Sequence, residues 1–359
     1  IIGSSTTAFF WFYIATVITP EEYGQIHYLI GIAGMAQILS LVSNSNVLTV
    51  YAAKRINIHS ALFFSSIILG IISFVIIFLL FNRIDVSFLV LGYIIFELSN
   101  GVLLGRKLFS NYAKVFLLQK FLTLTLGIIL YYTFGVEGII FGLVLSFAPY
   151  SYIIIKEFRD NKINFSLVKS RKGFLINNYG INVSSATGGQ IDKLIIAPLL
   201  GFELLGNYAL AMQVIIILLM LPNIIFKYLL TQDSSGENTH RLRIYTIGLS
   251  ICLTILGIIL APTIIPVFFP NFIQVIEAIQ IISFIVIPRT ISLLYESRFL
   301  AMEKSRYIVI AKISSLCIII VGFITLGPIY GIIGLSICVV FASCFSASYL
   351  FIAGKKILK

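Results

Sequence analysis

The sequence predicts an all-α integral membrane protein with about 12 transmembrane helices in two pseudo-symmetric six-helix lobes. Three observations support this prediction. Of the 359 residues, 59% are hydrophobic and 11% are charged, whereas soluble domains carry about 25% charged residues. The apolar residues fall into segments of about 20, the length that crosses a bilayer core. The basic residues collect in alternate loops, and short motifs of the first half recur in the second.

Twelve apolar segments are long enough to cross a membrane as helices. They cover residues 1–19, 25–53, 60–81, 86–105, 112–133, 136–155, 175–200, 204–230, 243–265, 273–299, 305–327 and 329–353. The chain begins with Ile1 rather than Met, so we expect that residues precede it and that the first segment is shortened. Prolines inside a helix remove a hydrogen bond and bend it. Bends are therefore expected at Pro149, Pro198, Pro222 and Pro288.

Alternate loops differ in charge. One set contains Lys54, Arg55, Arg106, Lys107, Lys114, Lys120, Lys156, Arg159, Lys162, Lys169, Arg171, Lys172, Arg241, Arg243, Arg298, Lys304, Arg306, Lys312, Lys355, Lys356 and Lys359. The other set contains acids, with Arg83 as its one base. The positive-inside rule places the basic loops, and with them both termini, in the cytoplasm. The net charge of +11 is thus explained by orientation and not by nucleic-acid binding.

The second half of the chain repeats the first. The segment Pro20–Gln25 resembles Phe202–Asn207, and three residues recur at one constant spacing, Arg106, Lys120 and Gly135 as Arg298, Lys312 and Gly327. Two halves of six spans each have the same topology, which is the parallel-repeat plan of transporters with a substrate path between the halves. We therefore predict an N-terminal lobe at 1–155, a basic cytoplasmic linker at 156–172 and a C-terminal lobe at 173–359. The linker is expected to contact anionic lipid.

Motifs of soluble enzymes are not found in this sequence. It contains no GxxxxGK[ST] loop for ATP, no HExxH and no GxSxG. The four cysteines lie in apolar segments without a CxxC spacing, and the three histidines are scattered, so neither a metal site nor a disulfide is expected. The sequence thus predicts a protein that is not an enzyme.

Ionisable residues at membrane depth are the candidates for function. A charge at the centre of a membrane helix costs roughly 2.5–3.5 kcal/mol on insertion scales, yet the seventh segment contains Asp192 next to Lys193. Adjacent residues do not face each other on a helix. Each of the two therefore needs a partner on another helix, water or a ligand.

Glu97 and Arg289 occupy equivalent positions in the two repeats, at similar predicted depth. One hypothesis is that they pair across a central cavity, and that an anionic ligand opens the pair by competing for Arg289. The alternative is that each makes a fixed structural bridge. Glu296 and Arg298 lie nearer the cytoplasmic end of the same segment. Two further polar residues either line the cavity or bond to neighbouring helices, Asn44 and Asn46.

Two short motifs carry a resemblance to a known family. The first is Thr19–Gly24 (TPEEYG), which looks like an "L-x-P-x-x-Y/F-G" turn after the first helix. The second begins at Asp192 and continues through Pro198, Leu200–Gly201 and Leu205–Ala209, similar to a "D…lG…lGxY…A" segment. By these motifs, and by its hydropathy and repeat, the chain resembles the Wzx-type polysaccharide flippases of the multidrug/oligosaccharidyl-lipid/polysaccharide exporter superfamily. The likeness covers nearly the whole chain.

The resemblance implies a V-shaped bundle that moves a glycan on a polyprenyl pyrophosphate carrier to the outer leaflet of the cell membrane by alternating access. The residues assigned to the substrate are Lys193, Arg289, Arg298, Asn44 and Asn46. Those assigned to charge pairing, or to coupling by a proton or sodium ion, are Asp192, Glu97 and Glu296. No other cofactor is expected. Partners would be the lipid-linked glycan, membrane lipids and other glycan-assembly membrane proteins, and a monomer would suffice.

Rival functions stay open on the sequence. A cation-coupled multidrug exporter of the same superfamily would favour a net acidic lumen, and the mixed but cationic set here is less suited to it. A flippase for peptidoglycan precursor is a near variant of the first interpretation. A membrane glycan polymerase or glycosyltransferase usually has a large outer loop or an acidic loop motif, and neither is visible in this sequence.

Overall fold

The computed structural model describes residues 2–43, 45–53, 56, 58–161, 163–173, 175–176, 179–180, 183, 189–234, 237, 239–302 and 304–357. The regular structure across these residues is helical. The protein has the predicted all-α fold of an integral membrane protein with two six-helix lobes.

Within the described residues, nine helices lie before residue 171. They are α1 (Ile2–Val17), α2 (Pro20–Ser40), α3 (Ser45–Ala53), α4 (His59–Phe81), α5 (Ile84–Gly105), α6 (Phe109–Phe134), α7 (Val136–Ser146), α8 (Ala148–Asp160) and α9 (Phe165–Ser170). In the described ranges after residue 190, seven more helices follow. They are α10 (Ile191–Leu200), α11 (Phe202–Leu218), α12 (Met220–Ser234), α13 (His240–Phe268), α14 (Val275–Ser283), α15 (Val286–Ala301) and α16 (Arg306–Ile357).

Several predicted spans consist of two shorter helices. Within the described residues, seven helical stretches are long and apolar enough to cross a membrane when α7 is counted with α8 and α14 with α15. The bent pair α11 and α12 is an eighth if it forms one span. Pairs such as α2 and α3 cover one predicted segment together, whereas α16 covers two and turns at Gly331, whose φ is +54°. Pro149 and Pro288 each lie in the first turn of a second half-helix, and Pro222 follows the 45° bend between α11 and α12.

The start of α2 follows directly from its sequence. The Thr19 backbone N–H and hydroxyl both donate to Glu22 Oε2, at 2.8 and 2.9 Å, and the Glu22 N–H donates back to Thr19 Oγ1 at 3.3 Å. This reciprocal arrangement is a capping box, which satisfies N–H groups that have no partner inside the helix. Pro20 occupies the first helical position, where a missing N–H has no cost. The PEEYG turn is therefore locally specified.

The chain divides into two compact units. The N-terminal unit comprises residues 1–14 and 28–191, and the C-terminal unit comprises residues 15–27 and 192–359. The first turns of α2 thus cluster with the second half of the sequence. The lobe boundaries predicted at residues 155 and 173 stay predictions.

Glycine contacts organise the N-terminal unit. A Cβ added at Gly101 would lie 2.6 Å from Leu48 Cβ and 2.9 Å from the Ser45 carbonyl oxygen, so α5 approaches α3 backbone to backbone. Gly142 on α7 approaches Gly127 on α6 in the same way, with its added Cβ 2.6 Å from the Gly127 Cα. Small residues four apart permit such contacts between membrane helices.

The C-terminal unit contains a reciprocal glycine contact. An added Cβ at Gly24 would overlap the Phe202 carbonyl oxygen and lie 2.9 Å from the Gly206 nitrogen, while one at Gly206 would overlap the Pro20 carbonyl oxygen. Gly24 and Gly206 are the equivalent glycines of the two repeated motifs, PEEYG and FELLG. The repeated motif therefore has a structural purpose, because it lets α2 and α11 touch at their starts.

Candidate functional site

Asp192 and Lys193 lie in the first turn of α10, directly after a turn at residues 189–190. The Lys193 backbone N–H donates to Asp192 Oδ1 at 2.9 Å. A carboxylate near the start of a helix is stabilised by the unpaired N–H groups there. The acid predicted to lie in mid-helix is thus held at a helix start, and both side chains are half-buried.

Residues from other helices complete the surroundings of this acid and base. The Tyr208 side chain of α11 hydrogen-bonds to Asp192, and the buried His27 of α2 interacts electrostatically with Lys193. Tyr23 packs against His27 with ring centroids 4.5 Å apart. The site thus combines a carboxylate, an amine, an imidazole and a phenol, all in the C-terminal unit. Such a set can exchange a proton or hold a cation beside Asp192.

Arg289 and Glu296 form an ion pair on α15. The Arg289 Nη1 lies 3.4 Å from Glu296 Oε1, and the Arg289 side chain is 38% exposed while that of Glu296 is 7% exposed. Among the described residues, this contact is the one hydrogen bond that the Arg289 side chain makes. A guanidinium has five N–H donors, so Arg289 can still bind an anion.

A tighter ionic network lies at the end of α12. Arg243 donates to Asp233, to Thr239 Oγ1 at 3.0 Å and to the Leu294 carbonyl oxygen, and Thr239 donates to Asp233 at 2.9 Å. Ser297 of α15 also donates to Asp233. Burial raises the pKa of the Asp233 carboxyl, but the hydrogen bonds from Arg243 and Ser297 and the Arg243 charge outweigh it and hold that pKa below its usual range. Arg298 is half-buried and interacts electrostatically with Asp233 and Arg243.

Glu97 caps a helix in the N-terminal unit. Its Oε1 accepts the Ser45 backbone N–H at 3.2 Å and the Ser45 hydroxyl at 2.8 Å, and Ser45 is the first residue of α3. The acid therefore satisfies an N–H group at a break in the second predicted span. Its hypothesised pairing with Arg289 stays a prediction.

The two candidate asparagines are less well defined. Asn44 lies outside the described residues, and Asn46 lies on α3 with a side chain that is outside them as well. In the described part of the chain, no group of three or more His, Cys, Asp or Glu side chains is placed to hold a metal ion.

Sequence reasoning missed several partners. Tyr208, His27, Ser45, Asp233 and Arg243 were not predicted to surround charged groups. Their contacts join residues that are far apart in the sequence. Arg243 and Asp233 are 10 positions apart, and Ser297 and Asp233 are 64 positions apart. The detectable signal was a polar residue inside or next to an apolar segment, because such residues need partners in a membrane.

Solved transporters have the same overall fold. A multidrug resistance MATE family transporter of the MOP superfamily, in an inward-facing conformation, superposes with a TM-score of 0.73 over 99% of this chain and 93% of its own, at 15% identity. The lipid II flippase MurJ, in an inward closed conformation, gives 0.77 over 99% and 86%, at 14% identity. A MOP superfamily transporter from Pyrococcus furiosus, described as having a reversed polarity of its binding pocket, gives 0.63 over 99% and 92%, at 16% identity.

The chain has the fold of these transporters. No protein-family model matches its sequence, and no curated protein matches it either. The likeness therefore supports the predicted architecture of an integral, multi-pass membrane protein, and its function has to be argued from the site.

Proposed function

We propose that this protein is a flippase that moves a polyprenyl-pyrophosphate-linked oligosaccharide from the cytoplasmic to the outer leaflet of the cell membrane by alternating access. The observation that carries the proposal is the exposure of Arg289 and the few hydrogen bonds of its side chain. Its side chain is a half-exposed cation on an apolar helix, and the one side-chain hydrogen bond that it makes among the described residues is a 3.4 Å contact to Glu296. A pyrophosphate would supply the charged acceptors that its other N–H groups lack.

The roles of the other charged residues follow from their partners. Lys193 and Arg298 add positive charge for the same anionic cargo, and Glu296 orients Arg289 until the cargo arrives. Asp192, held by Tyr208 and beside Lys193, takes up the proton or sodium ion that drives the cycle. Both termini are cytoplasmic in this proposal, as the positive-inside rule predicts. Glycan-assembly proteins would supply and consume the cargo, and a monomer is the working unit.

A cation-coupled multidrug exporter is the rival function. The observation that favours it is the pair of membrane-depth acids, Asp192 and Glu97, in a chain whose fold is also that of MATE transporters. An exporter of cationic drugs would use these acids as its binding groups and would have no need for an exposed cation at residue 289. A glycan polymerase or glycosyltransferase is the third possibility.

The test is a sided lipid assay in cells depleted of the protein and complemented with variants. Polyprenyl-pyrophosphate glycans are measured by mass spectrometry, and the leaflet is assigned by whether an impermeant glycosidase cuts them in intact cells. We expect inward-facing lipid-linked glycan to accumulate on depletion. Arg289→Gln should slow its translocation at least about tenfold, because a charged hydrogen bond is worth about 1.5–3 kcal/mol.

Arg306→Gln is the matched control, since Arg306 is exposed at the start of α16. It should restore translocation fully. Depletion that leaves the glycans unchanged but sensitises cells to cationic drugs would establish the exporter instead. Accumulation of an outward-facing, unpolymerised glycan would indicate a polymerase.

A further inference from the structure

A cluster of rings and polar groups in the N-terminal unit takes no part in the proposed pyrophosphate binding. We name it the α5–α8 cluster and define it by Phe96, Glu97, Asn100, Tyr112 and Tyr150. The Phe96 ring lies 5.2 Å from the Tyr150 ring and 6.5 Å from that of Phe116. Tyr112 stacks on Phe116 at 5.8 Å with 19° between the ring planes. Helices α5, α6 and α8 thus bring their rings to one place.

Two buried polar atoms in this cluster lack hydrogen-bond partners among the described residues. They are the Tyr150 hydroxyl and the Oδ1 of Asn100, a residue one helical turn after Phe96 on α5. Buried polar atoms are almost always paired in folded proteins, because leaving one unpaired costs stability, and each exception needs an explanation. A ligand, or water that a ligand replaces, would explain both.

Glu97 adds a further acceptor to the same place. Both bonds from Ser45 go to Oε1, and Oε2 accepts no hydrogen bond within the part of the chain that the structure describes. Glu97 interacts electrostatically with Tyr112, and Tyr112 interacts with Tyr150. The carboxylate and the two phenols are therefore neighbours, and they offer acceptors and donors to one ligand.

The chemistry of the cluster indicates a neutral, hydroxylated ligand. The Glu97 carboxylate repels phosphate. Lys120 lies over the Phe116 ring, with its Nζ 5.3 Å from the ring centroid, so the surroundings of the cluster contain one charge of each sign. Phenols and an amide oxygen both suit hydroxyl groups, which donate and accept hydrogen bonds. The aromatic faces are negative and attract the C–H bonds of a saturated ring.

We propose that the α5–α8 cluster binds a sugar ring of the cargo glycan, through Glu97, Tyr112, Tyr150 and Asn100 as hydrogen-bonding groups and Phe96 as the ring-stacking group. This inference rests on the proposed flippase function and deepens it, because it names residues of the N-terminal unit that recognise the sugar part of the cargo.

The test uses the purified full chain in detergent and measures binding of two kinds of probe by calorimetry. The first is geranyl pyrophosphate, and the second is a set of geranyl glycosides that carry one neutral hexose or N-acetylhexosamine and no phosphate. We expect at least one of these sugar probes to bind. Tyr150→Phe should weaken that probe about tenfold, the usual scale for one lost hydrogen bond, and leave geranyl pyrophosphate binding unchanged.

Tyr152→Phe is the matched control, because Tyr152 lies on the same helix and is 69% exposed. It should bind both kinds of probe as the wild type does. Tyr112→Phe should repeat the effect of Tyr150→Phe. Tyr150→Phe removes a hydroxyl that has no described partner, so a purely structural role predicts unchanged or higher thermal stability with no change in affinity.

The outcomes separate the two proposals. If geranyl pyrophosphate binds but no sugar probe does, or if Tyr150→Phe and Tyr112→Phe bind the sugar probes like the wild type, the sugar site is overturned and the flippase proposal stands. If neither kind of probe binds the wild type, the flippase proposal fails and the sugar site fails with it.

Discussion

Two ion pairs in the C-terminal unit, Asp233–Arg243 and Arg289–Glu296, hold their charges in different ways. Asp233 and Arg243, whose side chains are 8% and 9% exposed, share hydrogen bonds with Ser297 of α15, with Thr239 and with the Leu294 carbonyl. Arg289 and Glu296 share one 3.4 Å contact, and Arg289 is 38% exposed. The Asp233–Arg243 pair, called the enclosed pair below, is buried and has several hydrogen-bond partners. In the Arg289–Glu296 pair, N–H groups of the Arg289 guanidinium are available to a ligand.

This difference indicates which charged residues stabilise the fold and which are available to bind a ligand. Burying an ion pair costs desolvation energy that is recovered only when geometry and extra hydrogen bonds are good. Asp233 and Arg243 meet that condition, so they tie α12, α13 and α15 together. Arg289 does not meet it, and a residue at membrane depth without such compensation is the better candidate for binding.

The largest expected effect comes from breaking the enclosed pair. Asp233→Asn leaves Arg243 buried without its counter-charge and should lower the free energy of unfolding by about 3–5 kcal/mol. Glu296→Gln should cost less than about 1 kcal/mol, since its partner is half-exposed. Both are measured by thermal unfolding in detergent, with Asp160→Asn at the exposed Arg159–Asp160 pair as control. If Asp233→Asn and Glu296→Gln lowered the free energy of unfolding equally, the distinction between a structural pair and a ligand-binding pair would be wrong.

A smaller effect is expected for the helix cap at Glu97. Glu97→Gln weakens the acceptor at the start of α3 and should destabilise the protein by about 1 kcal/mol, as the loss of a charged cap does. Glu137→Gln is the control, because Glu137 is 66% exposed. Both are compared by the same unfolding assay.

The same assay tests the predicted pairing of Glu97 with Arg289. The exchange Glu97→Arg with Arg289→Glu should recover part of what each single change loses. A double variant no better than either single one would show that the two residues act independently.

The smallest expected effect is a pH dependence of the free energy of unfolding, caused by Asp233 of the enclosed pair. Because the pKa of Asp233 is lowered in the folded protein, its contribution is complete above the unfolded value of about 3.9 and is lost as pH falls through the lowered folded value. The stability difference between the wild type and Asp233→Asn should be constant from about pH 5 to 8 and shrink below about pH 4. If the stability difference shrank near neutral pH instead, a group other than Asp233 would be the cause of the pH dependence.

The sequence predicted the architecture well because membrane spans are determined by length and hydropathy. The twelve apolar segments all contain helix, and the repeated PEEYG and FELLG motifs contact each other through Gly24 and Gly206. The prolines at 149, 222 and 288 mark breaks, since a proline is tolerated in the first turn of a new helix.

The candidate site was less predictable. Asp192 was placed in mid-helix because the seventh predicted span was drawn through residues 184–190, although this stretch (SSATGGQ) is polar and its Gly-Gly pair is a turn signal. The repeat aligned Glu97 with Arg289, and that pairing stays a prediction. The contact by which Glu97 caps α3 at Ser45 was not predicted, because no proline marks the break there. Hydropathy and repeats identify equivalent positions, but a side chain's partner depends on helix rotation and on contacts between distant segments.

The cap at Glu97 also bears on how the chain assembles during synthesis. The carboxylate that accepts the Ser45 N–H belongs to a residue 52 positions later, beyond the whole of α4. Within a bilayer, an unpaired backbone group is costly. Because spans leave the ribosome in order, we expect the first turn of α3 to gain this partner only after α5 has entered the membrane.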